Sequence, residues 1–192
     1  MKAVDAMTDE ERIALFPIVL SEYNPEWTNW FAEEKVRIEQ LAGKENIVRI
    51  THCGSTSIPG LTAKPTVDIL LEINENADVK QLISSFPSPE YICLRQSTTP
   101  NHQPPHLVFL KGYTPTGFAD RVFHIHVRYP GDWDEVYFRD YLIQHPDTAA
   151  EYAALKHKLK GQYEYDRDGY TETKGEFVRE VTLRARKEKN SS

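Results

Sequence analysis

A chain of 192 residues with a formal net charge of −6 is long enough for one domain with a sizeable core and too short for two. The acidic balance excludes a general nucleic-acid coat, which needs a concentrated basic surface, and no apolar stretch approaches the roughly 18 residues of a membrane-spanning helix. Residues 1–12 lack the apolar core of a secretory signal, so we expect a cytoplasmic protein without a membrane partner.

Apolar spacing and turn residues predict an alternation of helices and strands. Asn24 and Pro25 are typical of a helix start, and Trp27 and Trp30 follow helical spacing on its apolar side, where we expect them in the core. After this helix, which ends near Gly43, the predicted elements are strands at 47–53 and 65–73, a helix at 77–86, strands at 107–111 and 122–129, and a mostly helical remainder from about residue 133.

Loops and helix ends are predicted from turn-forming residues. Segments 84–89 and 97–101 are rich in serine, threonine and proline, and 112–117 reads as a glycine and proline turn between strands. The sequence Thr173 to Glu176 has the pattern of a capping box and predicts the start of the last helix. We expect the tail, 187–192, to fray.

A glycine followed by three hydroxyl residues stands between the first two predicted strands, at Gly54, Ser55, Thr56 and Ser57. Such a turn lets the backbone approach an anion and supplies several hydrogen-bond donors, while Lys64 is placed to neutralise phosphate charge. Asp68 follows where it can hold the metal ion that a polyphosphate needs. The alternative is a tight turn, an exposed Lys64 and an aspartate that merely ends a hairpin.

Strict alternation along residues 123–129 places His124, His126 and Arg128 on one face of a strand. The same rule places Asp68 and Glu72 on one face of the strand at 65–73. If the two strands are neighbours, Asp68, Glu72 and His126 are candidate metal ligands and Arg128 is a candidate phosphate contact. The alternative is a solvated sheet face with ion pairs. Arg128 stands where a histidine-triad hydrolase has its third histidine, which argues against that class.

These motifs resemble the GrpB family of the nucleotidyltransferase superfamily. Cys53-Gly54-Ser55 and Asp68-Ile69 match the superfamily pattern of a hydrophobic residue, Gly, and Gly or Ser, followed after a gap by Asp and a hydrophobic residue. The likeness extends over about residues 17–186, leaving 1–16 as an N-terminal extension. Its further motifs are Pro17-Ile18, Tyr23 to Trp27, Gly54 to Leu61 with Lys64-Pro65, His124 to Val127, Phe138 to Leu142, and Tyr170-Thr171 with Lys174.

The resemblance implies an α/β (α+β) domain of nucleotidyltransferase-like fold, with a mixed sheet of about five strands flanked by helices and a helical C-terminal segment. It implies an enzyme dependent on Mg²⁺ or Mn²⁺ that binds a nucleoside triphosphate and transfers a nucleotidyl group to an unidentified acceptor. Asp68, His124 and His126 would be the catalytic residues of this enzyme.

Three C-terminal residues, Lys156, Tyr170 and Lys174, match the family and are implied as phosphate or nucleotide contacts. Lys174 also falls in the first turn of the predicted last helix, where the helix macrodipole disfavours a cation. A phosphate or a carboxylate of the sheet would offset that cost, and the sequence leaves both open.

Leu70 departs from the superfamily, which places its second metal-binding carboxylate at this position. This departure favours an alternative function, a catalytically silent module that binds a nucleotide or another phosphorylated metabolite. Because members of the resembled family also occur joined to dephospho-coenzyme A kinase, the alternative includes a link to coenzyme A metabolism.

Overall fold

The architecture is a five-stranded mixed sheet with helices on both sides, seen in a computed structural model that describes residues 7–95 and 107–191. The predicted α/β fold with a mixed sheet is confirmed. The strands are β1 (Ile47–Cys53), β2 (Thr66–Ile73), β3 (Tyr91–Arg95), β4 (Leu107–Thr114) and β5 (Gly117–Arg128). The helices of the described ranges are α1 (Asp9–Leu15), α2 (Glu26–Ala42), α3 (Val79–Ser85), α4 (Asp134–Gln144), α5 (Pro146–Gln162) and α6 (Arg167–Ser191).

The order of strands in the sheet is β1-β2-β5-β4-β3. Strands β2 and β5 pair in parallel, whereas the other neighbouring pairs are antiparallel. Asp68 lies opposite His124 in the β2–β5 register, and Leu70 lies opposite His126. The two strands predicted to share a polar patch are therefore neighbours. None of the helices in the described ranges is long and apolar enough to cross a bilayer.

One face of the sheet forms the main hydrophobic core, because alternate residues of β2 and β5 point to it. Helices α2 and α3 cover this face, and Trp27 is 1% exposed within it, as predicted, while Trp30 packs against its margin. The central buried residues of the two strands are Val67, Ile69, Leu71, Phe123, Ile125 and Val127.

The C-terminal helices pack together through a second apolar cluster on the other side of the molecule. This cluster also includes Ile58 and Leu61, which lie between β1 and β2, so the helices are fixed to the turn that follows β1. Its remaining buried members, all from α4, α5 and α6, are Phe138, Leu142, Tyr152 and Val181.

The helix boundaries agree with the predictions at α2 and differ at α6. The Asn24 side chain accepts a hydrogen bond from the Glu26 amide at 3.0 Å, and α2 gives way to Gly43 at φ +78°. Helix α6 starts at Arg167, six residues before Thr173. The Asp166 carboxylate accepts a hydrogen bond from the Gly169 amide at 2.9 Å and caps the helix at this earlier position. Lys174 is therefore not in the first turn, and residues 187–191, predicted to fray, are helical.

The hairpin between β4 and β5 is tighter than predicted. Gly112 lies within β4, at a bulge where the register shifts, and has φ +86°. A Cβ at this position would collide with the backbone of Arg121, so the glycine serves the bulge and the actual turn comes later. Strand β3 is not among the predicted elements, and the predicted loop at 97–101 lies outside the described residues.

Candidate functional site

A cavity of about 800 Å³ lies between the polar side of the sheet and the C-terminal helices. Strand residues Asp68, His124 and His126 line it, together with residues from the turn after β1 and from α4, α5 and α6. It is large enough for a nucleotide-sized ligand. Most of the residues predicted from the sequence to form a site therefore line one cavity.

The strand end of the cavity is a carboxylate between two imidazoles. Asp68 Oδ1 lies 3.4 Å from His124 Nδ1 and 3.5 Å from His126 Nε2, and one ligand atom from each residue lies within 4.8 Å of the other two. Burial disfavours the charged carboxylate, but hydrogen bonds from His124 and His126 outweigh burial and hold the pKa of Asp68 well below its usual range. Asp68 is thus a preformed anion facing two nitrogen ligands.

Two neighbours fix the geometry of this cluster. Tyr113 Oη lies 2.7 Å from His124 Nε2, so the tyrosine can hold the ring with Nδ1 directed at Asp68. Gly54, at φ +69°, passes so close to Asp68 that a Cβ would collide with the carboxylate. Tyr113 is not among the residues predicted from the sequence, because the segment around it reads as a turn rather than as part of β4.

Glu72 lies apart from the cluster, although the sequence makes it a candidate metal ligand. Its side chain forms an ion pair with Arg49, and its Oε1 accepts a hydrogen bond from the Gly131 amide at 3.3 Å. Glu72 lies on the predicted face of β2, but it lies farther along the strand than Asp68 and contacts these partners instead of the cluster. The group that can hold a metal consists of Asp68, His124 and His126 among the described residues.

The hydroxyl turn contributes less to the cavity than the sequence predicts. Ser55 lines the cavity, but Thr56 is 1% exposed and donates its hydroxyl to the Thr66 carbonyl at 3.1 Å. Ser57 donates its hydroxyl to the Gly54 carbonyl at 2.6 Å. The hydroxyls of Thr56 and Ser57 therefore stabilise the turn itself, which corrects their prediction as phosphate contacts.

Lysines from three segments also line this cavity, and we call the part of its wall that contains Lys64, Lys156, Lys174 and Tyr170 the lysine end. Lys156 is 2% exposed, and its Nζ lies 3.4 Å from Ser55 Oγ and 4.5 Å from the centre of the Tyr152 ring. Burial, reinforced by the charges of Lys174 and Lys64, lowers the pKa of Lys156 to about 7. The sequence predicts these residues as phosphate contacts, and the structure brings them together.

Arg128 also lines the cavity, and contacts with Trp133 and a backbone carbonyl restrict its side chain. Its guanidinium is nearly buried, lies 5.9 Å from the centre of the Trp133 ring and donates to the Val127 carbonyl at 2.9 Å. Glu135 lines the same wall, and none of the described residues forms an ion pair or a hydrogen bond with it. Trp133 and Glu135 were not predicted from the sequence, because a tryptophan and an acid at a helix start are common without any site.

Arg186 closes this side of the cavity through ion pairs with the segment before α4. Its Nη1 lies 2.5 Å from Asp132 Oδ2, and its Nη2 lies 2.7 Å from Asp134 Oδ1. Both aspartates therefore share one arginine as ion-pair partner, whereas Glu135 forms no ion pair or hydrogen bond with the described residues. Sequence reasoning had no signal for this contact, because its partners are more than fifty residues apart.

Comparisons with known proteins agree with this architecture. The family described as GrpB protein matches residues 17–184. A UPF0157 protein of Pseudomonas aeruginosa is 36% identical over 178 residues, which cover 92% of this chain and 69% of that protein. A protein described as a dephospho-CoA kinase of Mycolicibacterium paratuberculosis is 28% identical over 193 residues, covering 91% of this chain and 47% of that protein.

A solved structure gives the same result at the level of the fold. The crystal structure of the conserved protein GrpB from Enterococcus faecalis superimposes with a TM-score of 0.76 at 28% identity, covering 88% of this chain and 98% of that one. Together with the match over residues 17–184, this likeness leads to one conclusion. The chain belongs to the GrpB family.

Proposed function

We propose that this protein is a metal-dependent nucleotidyltransferase that binds a nucleoside triphosphate and transfers a nucleotidyl group to a small-molecule acceptor. The observation that carries the proposal is the convergence of Asp68, His124 and His126 in a cavity that lysines from three segments also line. A metal site beside a cationic pocket suits a substrate with several phosphate groups. Membership of the nucleotidyltransferase superfamily is part of the same proposal.

The donor set favours a transition metal over Mg²⁺. Mg²⁺ prefers oxygen ligands, whereas two imidazoles and a carboxylate suit Mn²⁺, Fe²⁺ or Zn²⁺. Asp68, His124 and His126 would hold the ion, which when bound would neutralise charge on the reacting phosphate and on the leaving oxygen. We therefore propose Mn²⁺ ahead of Mg²⁺ as the working metal.

The remaining roles follow from the partners of each side chain. The lowered pKa of Asp68 makes it a weak base, which suits a metal ligand better than a proton acceptor. Glu135 is a carboxylate on the cavity wall without an ion-pair or hydrogen-bond partner in the described part of the chain, so we propose that it orients the acceptor hydroxyl. Ser55, Lys64 and Lys156 would hold the phosphates.

A second candidate is the catalytically silent binding module, and the observation that favours it is the environment of Leu70. This residue is fully buried, lies beside His126 in the β2–β5 register and replaces the second acid of the superfamily pattern. Such a site would bind a phosphorylated metabolite without turnover. The relative described as a dephospho-CoA kinase makes coenzyme A and dephospho-coenzyme A the first ligands to test for this candidate.

The two candidates differ in their response to ligand and metal. We would measure the thermal midpoint with ATP, GTP, CTP, UTP, coenzyme A and dephospho-coenzyme A, each with Mn²⁺, with Mg²⁺ or with EDTA. A ligand at about 100 times its Kd stabilises the folded state by about 2.7 kcal/mol, which is a measurable shift. The variant Asp68→Asn should lose the Mn²⁺-dependent part of the shift, whereas Asp147→Asn, on the exposed start of α5, should keep it.

Turnover then separates an enzyme from a module. Pyrophosphate release that needs Mn²⁺ and disappears in Asp68→Asn would support the transferase. A ligand-induced shift without pyrophosphate release, and with activity gained in Leu70→Asp, would support the module. No shift with any of these ligands and metals would reject nucleotide binding, and with it the transferase and the coenzyme A form of the module.

A further inference from the structure

We infer that the lysine end of the cavity is a pocket for a phosphate dianion, in which Lys156 and the Tyr170 hydroxyl contact the phosphate and Lys64 and Lys174 supply further positive charge. The inference deepens the proposed function, on which it rests for the identity of the molecule that carries the phosphate. It assigns the substrate class: a molecule with a terminal phosphate group, whether the triphosphate of the donor or a phosphomonoester acceptor.

Lys156 is the first observation, because a buried ammonium group requires partners. Its Nζ donates to the Thr62 carbonyl and lies 3.4 Å from Ser55 Oγ, and both partners are neutral. No carboxylate among the described residues forms an ion pair with it. A lysine is rarely 2% exposed without such a counter-charge. The missing counter-charge is what an anionic ligand would bring.

Tyr170 is the second, independent observation. Its side chain is 1% exposed and lines the cavity, and its hydroxyl is among the buried polar atoms without a hydrogen-bond partner. Nearly all buried hydroxyls are hydrogen-bonded, so an unpartnered one calls for a ligand or another physical reason. A phosphate oxygen in the lysine end would accept from this hydroxyl.

The surroundings of Tyr170 add charge to the same place. Lys64 Nζ lies 5.4 Å and Lys174 Nζ 6.0 Å from the centre of the Tyr170 ring. These lysines come from the segment before β2 and from α6, and Lys156 comes from α5, so three separate parts of the chain carry a cation to one end of the cavity. The charges of Lys64 and Lys174 act unfavourably on a charged Lys156, and a bound dianion would interact favourably with all three cations.

Anion binding should therefore be coupled to a proton. Among the described residues, the groups that face Lys156 are the cations Lys64 and Lys174, the Thr62 carbonyl, the Ser55 hydroxyl and the Tyr152 ring. Burial and the two neighbouring cations lower its pKa to about 7, so a substantial fraction of Lys156 is neutral at pH 7.5. A bound dianion favours the charged form, and the protein should take up a proton as the anion binds.

The test is calorimetric titration of the full chain with sulfate, and separately with phosphate, in EDTA. Sulfate is the cleaner probe because it stays fully ionised across this pH range. We expect Lys156→Met to raise the Kd for sulfate at least about tenfold, and Tyr170→Phe to raise it about three- to tenfold, since each removes a hydrogen bond to a charged group. Lys158→Met, an exposed lysine on the same helix, is the matched control and should leave the Kd unchanged.

Proton uptake gives a readout that a purely structural role of Lys156 would not produce. The binding enthalpy of sulfate at pH 7.5 should vary with the ionisation enthalpy of the buffer in the wild type and in Lys158→Met, but not in Lys156→Met. Sulfate binding that is equal in the wild type, Lys156→Met and Tyr170→Phe would overturn the inference, as would an absence of sulfate and phosphate binding in the wild type.

Two combinations of results separate this inference from the proposed function. Sulfate binding without any Mn²⁺-dependent nucleotide shift would support the phosphate pocket and reject the transferase. A Mn²⁺-dependent nucleotide shift that is unaffected by Lys156→Met would support the metal site and reject the pocket.

Discussion

Lys111 is partly buried, with 21% of its side chain exposed, and Lys156 is buried, but the surroundings of their amino groups are opposite. On the β4 side of the sheet, Lys111 Nζ lies 2.7 Å from Glu34 Oε2, 3.0 Å from Glu90 Oε1 and 3.1 Å from Tyr91 Oη. In the cavity, Lys156 has a carbonyl, a hydroxyl and an aromatic ring as its partners, and cations as its charged neighbours.

The two pKa shifts express the same difference. Burial alone would lower the pKa of Lys111, but hydrogen bonds to Glu34 and Tyr91 raise it above its ordinary range, whereas no group among the described residues offsets burial at Lys156. A buried charge that serves only the fold comes with its counter-charge. A buried charge without one indicates that the counter-charge arrives with a ligand, and this contrast distinguishes the candidate site from the rest of the interior.

The same substitution at both lysines should have opposite effects on stability. Lys111→Met leaves the Glu34 carboxylate, which is 5% exposed, without its cation, and we expect the free energy of unfolding to fall by about 3 kcal/mol. Urea denaturation measures this change. The double variant Lys111→Met, Glu34→Gln removes both charges and should recover most of the loss; a double variant as unstable as the single one would break the comparison.

Lys156→Met should instead stabilise the protein in the absence of anions, by on the order of 2 kcal/mol at pH 6. The folded chain holds Lys156 at a pKa of about 7 instead of 10.5, so the unfolded chain binds more protons across that interval and wild-type stability rises with pH through it. Urea denaturation from pH 6 to pH 10 should show this rise in the wild type and a smaller rise in Lys156→Met. A destabilised variant at pH 6 would contradict the account.

Two buried tyrosines allow the same comparison of surroundings, with a smaller expected change in the free energy of unfolding. Tyr91 Oη donates to Glu34 Oε1 at 2.6 Å, while the Tyr170 hydroxyl has no hydrogen-bond partner among the described residues. We expect Tyr91→Phe to lower the free energy of unfolding by about 1 to 2 kcal/mol, and Tyr170→Phe to leave it unchanged or raise it by up to about 1 kcal/mol. Equal losses in the two variants would show that the Tyr170 hydroxyl is stabilised in the folded protein after all.

The faces of the strands could be predicted from sequence, because the backbone of a strand imposes a period of two. Residues 123–129 alternate between the core and the cavity as predicted, and Asp68 faces His124 and His126. The neighbour relation could not be read from local pattern, since it joins Asp68 to a residue 58 positions away. Hydrophobic alternation specifies a face, but not which strand lies beside it.

The hydroxyl turn and the last helix show where local reasoning was wrong. Thr56 and Ser57 were predicted to meet phosphate because hydroxyls after a glycine supply donors, but short-range carbonyls compete for the same hydroxyls and take them. The capping pattern at Thr173 predicted the helix start there, but the Asp166 carboxylate caps the helix earlier, although Gly169 lowers the local helix propensity. The family resemblance identified Lys156 and Tyr170. Only the packing of the described residues shows that Lys156 is buried without a counter-charge and the Tyr170 hydroxyl without a hydrogen-bond partner.

The parallel pairing of β2 with β5 also determines when the cluster of Asp68, His124 and His126 can form during synthesis. Strand β2 leaves the ribosome first, and the chain must add α3, β3 and β4 before β5 supplies the two histidines. Until then Asp68 is a single carboxylate, which is too few ligands for a tight divalent-metal site. Because a parallel pair needs this long crossover, the proposed metal site can form only after the chain has completed both strands.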